Sequence, residues 1–240
     1  HGDPLLNACN YPPFSKRLKK TVATQTYPGT NFSPDIRITE YFFDGQGRVD
    51  SIMEHQTAIA VVYSPDGKVH QLRSYAYAQP QLLQSVTQYY YNNGLLEKTV
   101  RTSYDAAGNP AGWSNTHFYE WDANGFLAKT WFEGSNDKRV FTRDECGNIL
   151  KTQDFYNANN AEHFLSEAAF ANTPNPHYQI GLDAIFPGYY SVHNQNFSQI
   201  IHWDCADYDP SPITSEYEYD AEGLPVTMMR ANRVEAYFYE

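Results

Sequence analysis

The densest local grouping of chemically capable residues is HWDC, His202 to Cys205, in a chain with eight histidines and three cysteines. On an extended strand His202 and Asp204 share one face while Cys205 points to the other, so the stretch offers two converging ligands rather than three. No HExxH helix or calcium loop is present, and Cys9, Cys146 and Cys205 are too widely spaced for a zinc or redox motif. No metal and no cofactor is therefore expected. Ser191, with His193 and Asp183 nearby, has the residue types of an acyl-transfer triad, but no G-x-S-x-G turn surrounds it. The carboxylate pairs Glu216 with Glu218 and Asp204 with Asp207 would serve acid–base chemistry only if folding held them across a cleft. A hydrolase would have to be built from His193, His202 and Asp204. Nothing in the sequence assembles them, so the chain is not expected to be an enzyme.

Aromatic residues are the better functional material. Flat rings stack on sugar faces and Tyr hydroxyls add hydrogen bonds, so an exposed row of them makes a saccharide platform. The chain has four Trp and 20 Tyr, including the run Tyr89–Tyr91. The faces assigned below place Trp121 and Trp131 in the core. Trp113 and Trp203, with Tyr89 and Tyr91, are left as the candidate ligand-binding set.

Those faces follow from a repeated turn. Gly47, Gly67, Gly94, Gly108, Gly125, Gly147 and Gly223 fall in one register. Four residues earlier stand Phe43, Tyr63, Tyr90, Tyr104, Trp121, Arg143 and Tyr219; two residues later stand Val49, Val69, Leu96, Pro110, Leu127, Ile149 and Pro225. Three before the glycine the residue is Asp, except at Ser64 and Tyr91. An Asp opening a turn bonds the backbone N–H groups ahead of it, and a glycine accepts the positive φ that closes a type I turn with a bulge. The result is a three-residue hairpin loop. It sets Trp121 opposite Leu127, Tyr119 opposite Lys129 and Tyr219 opposite Pro225, on one packed face. The other face, with Phe42, Ser103, Glu120, Thr142 and Glu218, is more polar, as in a sheet wetted on one side.

A long gap separates the last two copies. Within it, Ala161 to Ala171 carries a helical apolar stripe of Phe164, Leu165, Ala168 and Phe170, followed by a proline-rich turn and an irregular connection. This insertion, about 157–212, is expected to cover the core.

The motifs YDAAGNP, WDANGFL, RDECGNIL and YDAEGLP resemble YD repeats, the tyrosine–aspartate repeats of RHS proteins, and the layout resembles uncharacterised secreted or lipid-anchored domains of Bacteroidetes. The resemblance covers most of residues 38–155 and 213–240. It implies an extracytoplasmic, all-β protein: an antiparallel meander of YD-type hairpins forming a curved, open or partly closed sheet, with a short helical or irregular insertion. It transfers no catalytic residue, because the matched motif is itself a turn. Residues 1–37 are expected to lead into a single domain over 38–240.

Composition narrows the partners. A net charge of −11 with only 17 Lys and Arg argues against nucleic acid, and SKRLKK, Ser15 to Lys20, is expected to be a solvated segment. No stretch approaches the length of a membrane-spanning helix. The sequence opens on His1, so an export signal, with or without a lipid anchor, is expected to precede it. The three cysteines allow one disulfide and one thiol, or three thiols. The expected function is a periplasmic or cell-surface binding or interaction module, with a glycan or an envelope protein as partner. The alternatives are an envelope hydrolase with its site in the insertion, or a spacer whose sheet edge pairs with another chain.

Overall fold

Sixteen antiparallel strands account for most of the computed structural model, which describes residues 16–29, 31–76, 78–156, 161–187, 193–203 and 212–240. In chain order they are β1 (Leu18–Gln25), β2 (Asp35–Phe43), β3 (Val49–Glu54), β4 (Thr57–Tyr63), β5 (Val69–Ala76), β6 (Gln79–Asn92), β7 (Leu95–Tyr104) and β8 (Pro110–Trp121). There follow β9 (Leu127–Phe132), β10 (Lys138–Arg143), β11 (Ile149–Tyr156), β12 (Ala161–Pro174), β13 (His193–Trp203), β14 (Ile213–Tyr219), β15 (Pro225–Arg230) and β16 (Arg233–Tyr239). Two short helices, α1 (Pro176–Gln179) and α2 (Leu182–Ile185), lie between β12 and β13. The expected all-β meander is present. Each strand pairs with its chain neighbours, and β1 pairs with both β2 and β16, so the pairing runs round into a barrel. Among the described residues, β13 and β14 are joined by the pairs Phe197↔Thr214 and Ser198↔Ile213.

The turns obey the chemistry read from the motif. The Asp122 N–H donates to the Phe126 carbonyl and the Gly125 N–H to the Asp122 carbonyl. Oδ1 of Asp122 accepts from the N–H groups of Asn124 and Phe126, both at 2.9 Å. Asp44, Asp105, Asp144 and Asp220 repeat this pattern. Trp121 faces Leu127 and Tyr219 faces Pro225, as expected. Six of the seven repeat turns, however, are followed by a one-residue bulge, and the Gly108 turn by a longer irregularity between Thr102 and Tyr104. Glu120 pairs with Lys129 and Tyr119 with Thr130, so Ala128 is the unpaired residue. A one-residue slip moves everything beyond it to the opposite face. Tyr119 therefore does not face Lys129, and Trp131 lies outside the barrel rather than in its core. The Gly94 copy differs again. Asn93 and Gly94, at φ 48° and 88°, form a two-residue turn that sets Tyr91, not Tyr90, against Leu96.

Inward aromatics have a second use, in Tyr63 and Trp121 of the repeat and in Tyr91 and Tyr239 outside it. The Tyr63 hydroxyl donates to the Val49 carbonyl at 2.9 Å, Tyr91 to Val69 at 2.9 Å, Trp121 Nε1 to Leu96 at 2.7 Å and Tyr239 to Pro225 at 2.8 Å. Each acceptor is the apolar residue two beyond a repeat glycine, so one hairpin is tied to the preceding one. Arg143, the copy without an aromatic, keeps the bond with Nε on the Leu127 carbonyl at 3.1 Å. Cations reinforce the ties: Arg48 lies 4.1 Å from the Tyr63 ring centroid and Lys68 Nζ 5.2 Å from that of Tyr91.

The helix expected over Ala161–Ala171 is instead β12, paired with β11 on one side and β13 on the other. Two flanking ladders outweigh the modest helix preference of its Ala, Glu and Leu residues. The helical turns lie later, where Asn175 Oδ1 caps α1 by accepting from the His177 N–H. Leu182 and Ile185 of α2, each 1% exposed, enter the core with Tyr41, Ile52, Val61, Leu72, Tyr89 and Tyr237. The insertion thus fills part of the barrel. The segment expected only to lead into the sheet supplies β1, which joins the two ends of the meander. Cys146 is disulfide-bonded, which sets aside the reading with three thiols.

Candidate functional site

Two places have side chains that the fold does not fully use. The first is a row on the outer face, opposite the core residues. Tyr90 pairs with Lys98, Lys98 with Phe118, Phe118 with Trp131, Trp131 with Lys138 and Lys138 with Phe155, crossing β6 to β11 at one level. Five interstrand steps make the row about 24 Å long. Phe118 and Trp131 stack with centroids 5.4 Å apart at 16°. Lys98 Nζ lies 5.4 Å from the Tyr90 ring, and Lys138 Nζ 5.1 Å from that of Phe155. Lys129 sits over Trp131 at 4.6 Å and bonds Glu120 at 2.6 Å. Among the described residues neither Lys98 nor Lys138 forms an ion pair. The row offers π-faces for stacking and two ammonium groups for an anion or hydroxyl.

The second place is the lumen. Beside the helical plug is a cavity of about 960 Å³, bounded by β11 to β16 and β1, and next to it one of about 290 Å³. A polar chain separates them. Arg233 Nη2 donates to Glu235 Oε2 at 3.0 Å, Glu235 Oε1 lies 3.8 Å from His177 Nε2, and His177 Nδ1 is 3.3 Å from the Tyr41 hydroxyl. Arg230 Nη2 donates to Ser198 Oγ at 2.8 Å. Burial pushes the Glu235 carboxyl up, but the bond and charge of His177 and the charge of Arg233 outweigh it, leaving the group below its ordinary value. Burial lowers the Arg230 guanidinium and raises the Tyr217 and Tyr237 hydroxyls.

The residues singled out from sequence are not gathered into one site. Tyr89 is 6% exposed and its hydroxyl bonds the Ile185 carbonyl, so it fastens the plug rather than facing a ligand. Tyr91 is tied to Val69 and lies under Lys68. The exposed member of that run is Tyr90, 41% accessible. Trp113 lies in β8 and Trp203 in β13, with side chains outside the described ones. His193 and His202 stand at opposite ends of β13, paired with Pro174 and Leu165. Nine residues of strand span about 30 Å, so the two do not meet. Asp204 and Asp207 lie outside the described residues, as does Ser191. Asp183 stands in the first turn of α2, its carboxyl raised by burial. Glu216 and Glu218 are exposed on β14. Among the described residues no three His, Cys, Asp or Glu side chains are grouped for a metal. The sequence signal for the outer row was present: Trp131 falls six residues after a repeat glycine, beyond the bulge that reverses the face.

No protein family and no curated protein sequence matches the chain. Among solved structures it is similar to a porin-like protein from Bacteroides uniformis, with a TM-score of 0.60 and 14% identity over 93% of this chain and 96% of that one. It is also similar to a porin-like protein from Bacteroides vulgatus, with a TM-score of 0.51 and 10% identity over 94% of this chain and 99% of that one. At these identities the likeness is one of fold. A match to a TcdB2–TccC3 structure has a TM-score of 0.21, too low to bear on kinship, so the YD resemblance stays with the turns.

Proposed function

We propose that the protein is a non-catalytic, extracytoplasmic binding module of the bacterial envelope, and that its outer aromatic–lysine row takes a saccharide chain. The observation that carries this reading is the continuous level of Tyr90, Lys98, Phe118, Trp131, Lys138 and Phe155 across six strands. Sugar rings stack on such faces, and the two lysines favour acidic over neutral sugars. The barrel fold shared with porin-like proteins of Bacteroides supports an envelope setting.

The outer wall is not the apolar band of a membrane-embedded barrel, since Arg73, Lys129, Glu167 and Glu216 stand mid-strand on it. That favours a protein working in water beside the membrane. A spacer pairing through a sheet edge is disfavoured because β1 and β16 are paired with each other.

The test is titration with neutral and uronic-acid oligosaccharides, followed by tryptophan fluorescence and thermal shift. Acidic chains are expected to raise the melting temperature and alter the fluorescence, and Trp131→Ala to weaken binding by about tenfold. Unchanged affinity in Trp131→Ala and in the double variant Lys98→Ala/Lys138→Ala would remove the proposal.

A further inference from the structure

The lumen carries a charge arrangement that the fold alone does not explain. Arg230 and Arg233 are direct cross-strand partners at the base of the two-residue turn Ala231–Asn232, and both line the cavity of about 960 Å³. Like charges directly opposite one another destabilise a sheet, and a partly desolvated guanidinium is retained at a cost unless it is paired. Glu235 engages Arg233 through Nη2 and is shared with His177. The buried Nε of Arg233 has no hydrogen-bond partner. Arg230 has a neutral hydroxyl, that of Ser198, and no ion pair among the described residues. Two forked donors therefore line one space with a single carboxylate, that of Glu235, between them.

We infer that this cavity binds a small organic anion, its carboxylate or phosphate held by Arg230 and Arg233 and its hydroxyl-bearing body against Gln25, Asn232, Phe170 and Met228. The geometry suits the chemistry. Guanidinium forks present parallel N–H donors that match carboxylate and phosphate oxygens two at a time. A cavity of this volume admits a molecule of sugar-acid or sugar-phosphate size. The amides of Gln25 and Asn232 offer donors and acceptors for hydroxyls, while Phe170 and Met228 supply apolar surface. This cavity is separate from the outer row, which lies on the opposite face of the sheet.

The experiment is isothermal titration of the intact protein with glucuronate, glucose 6-phosphate and glucose. One or both anions are expected to bind saturably and glucose not to bind. Arg230→Gln is expected to weaken anion binding at least tenfold, and Arg230→Lys, which keeps the charge but loses the fork, to weaken it less. Circular dichroism melts confirm that each variant is folded; Arg230 is chosen because Arg233 also supports Glu235. Failure of both anions to bind at millimolar concentration overturns the inference. So does binding that Arg230→Gln leaves unchanged while Trp131→Ala abolishes it, since that signal belongs to the outer row and leaves the saccharide proposal intact.

Discussion

Acidification should weaken the barrel through His117, by an amount that follows from its surroundings. The ring points inward from β8, stacked on Phe132 with centroids 4.4 Å apart at 21°, and its Nδ1 lies 3.2 Å from the Tyr119 hydroxyl. Burial, with the Arg139 charge second, pushes its pKa down to about 4 from 6.5. The folded pKa is depressed, so the neutral ring belongs to the fold and the unfolded chain takes up the proton first. Stability is therefore lost as pH falls from about 6.5 towards 4. Linkage over those two values gives about 1.8 kcal/mol lost between pH 7 and pH 5. The ring is only partly buried, so solvent screening brings the figure to about 1 kcal/mol. Urea unfolding at the two pH values, in the parent and in His117→Gln, isolates this contribution, because the carboxylates are common to both chains. The parent should lose about 1 kcal/mol more than the variant. Equal losses would refute the assignment.

Two further substitutions test the ties within the barrel. Tyr63→Phe removes the hydroxyl bonded to Val49 and keeps the ring under Arg48, so it should cost about 1 kcal/mol in urea unfolding. Asp154 is 6% exposed and receives Arg139 Nε at 2.6 Å and Nη2 at 2.7 Å. Asp154→Asn should cost about 1 to 3 kcal/mol by the same assay, towards the lower end because the Arg139 side chain reaches solvent.

What the sequence reveals about this chain stops where local chemistry gives way to register. An Asp that bonds the N–H groups two and four residues ahead needs only its own turn, so Asp122 and Asp220 are readable as they stand. The pair nearest each turn, Trp121 with Leu127 or Tyr219 with Pro225, is fixed by the same few atoms. One residue further on, the bulge at Ala128 intervenes, and a period-two pattern continued through it assigns Trp131 to the wrong face. The segment from Ala161 fails differently. Its helical stripe is intact, but its partners are β11 and β13, the second of which begins about 20 residues after β12 ends. Pairing decided at that distance leaves no local mark. Arg230 and Arg233 carry no mark in the sequence for a third reason: only the surrounding lumen turns two charges flanking a two-residue turn into a partly desolvated pair.

These cases share a consequence for reading aromatics. In this meander Tyr63 and Trp121 stand before the glycine and spend their donors on the neighbouring hairpin, whereas Trp131 stands beyond the bulge and faces out. Before the turns, Tyr90 and Phe118 alternate with the inward Tyr91 and Tyr119 and face out as well. The face of the sheet, set by the phase of each strand and reversed at the bulge, therefore distinguishes scaffold from candidate site, whatever the aromatic content.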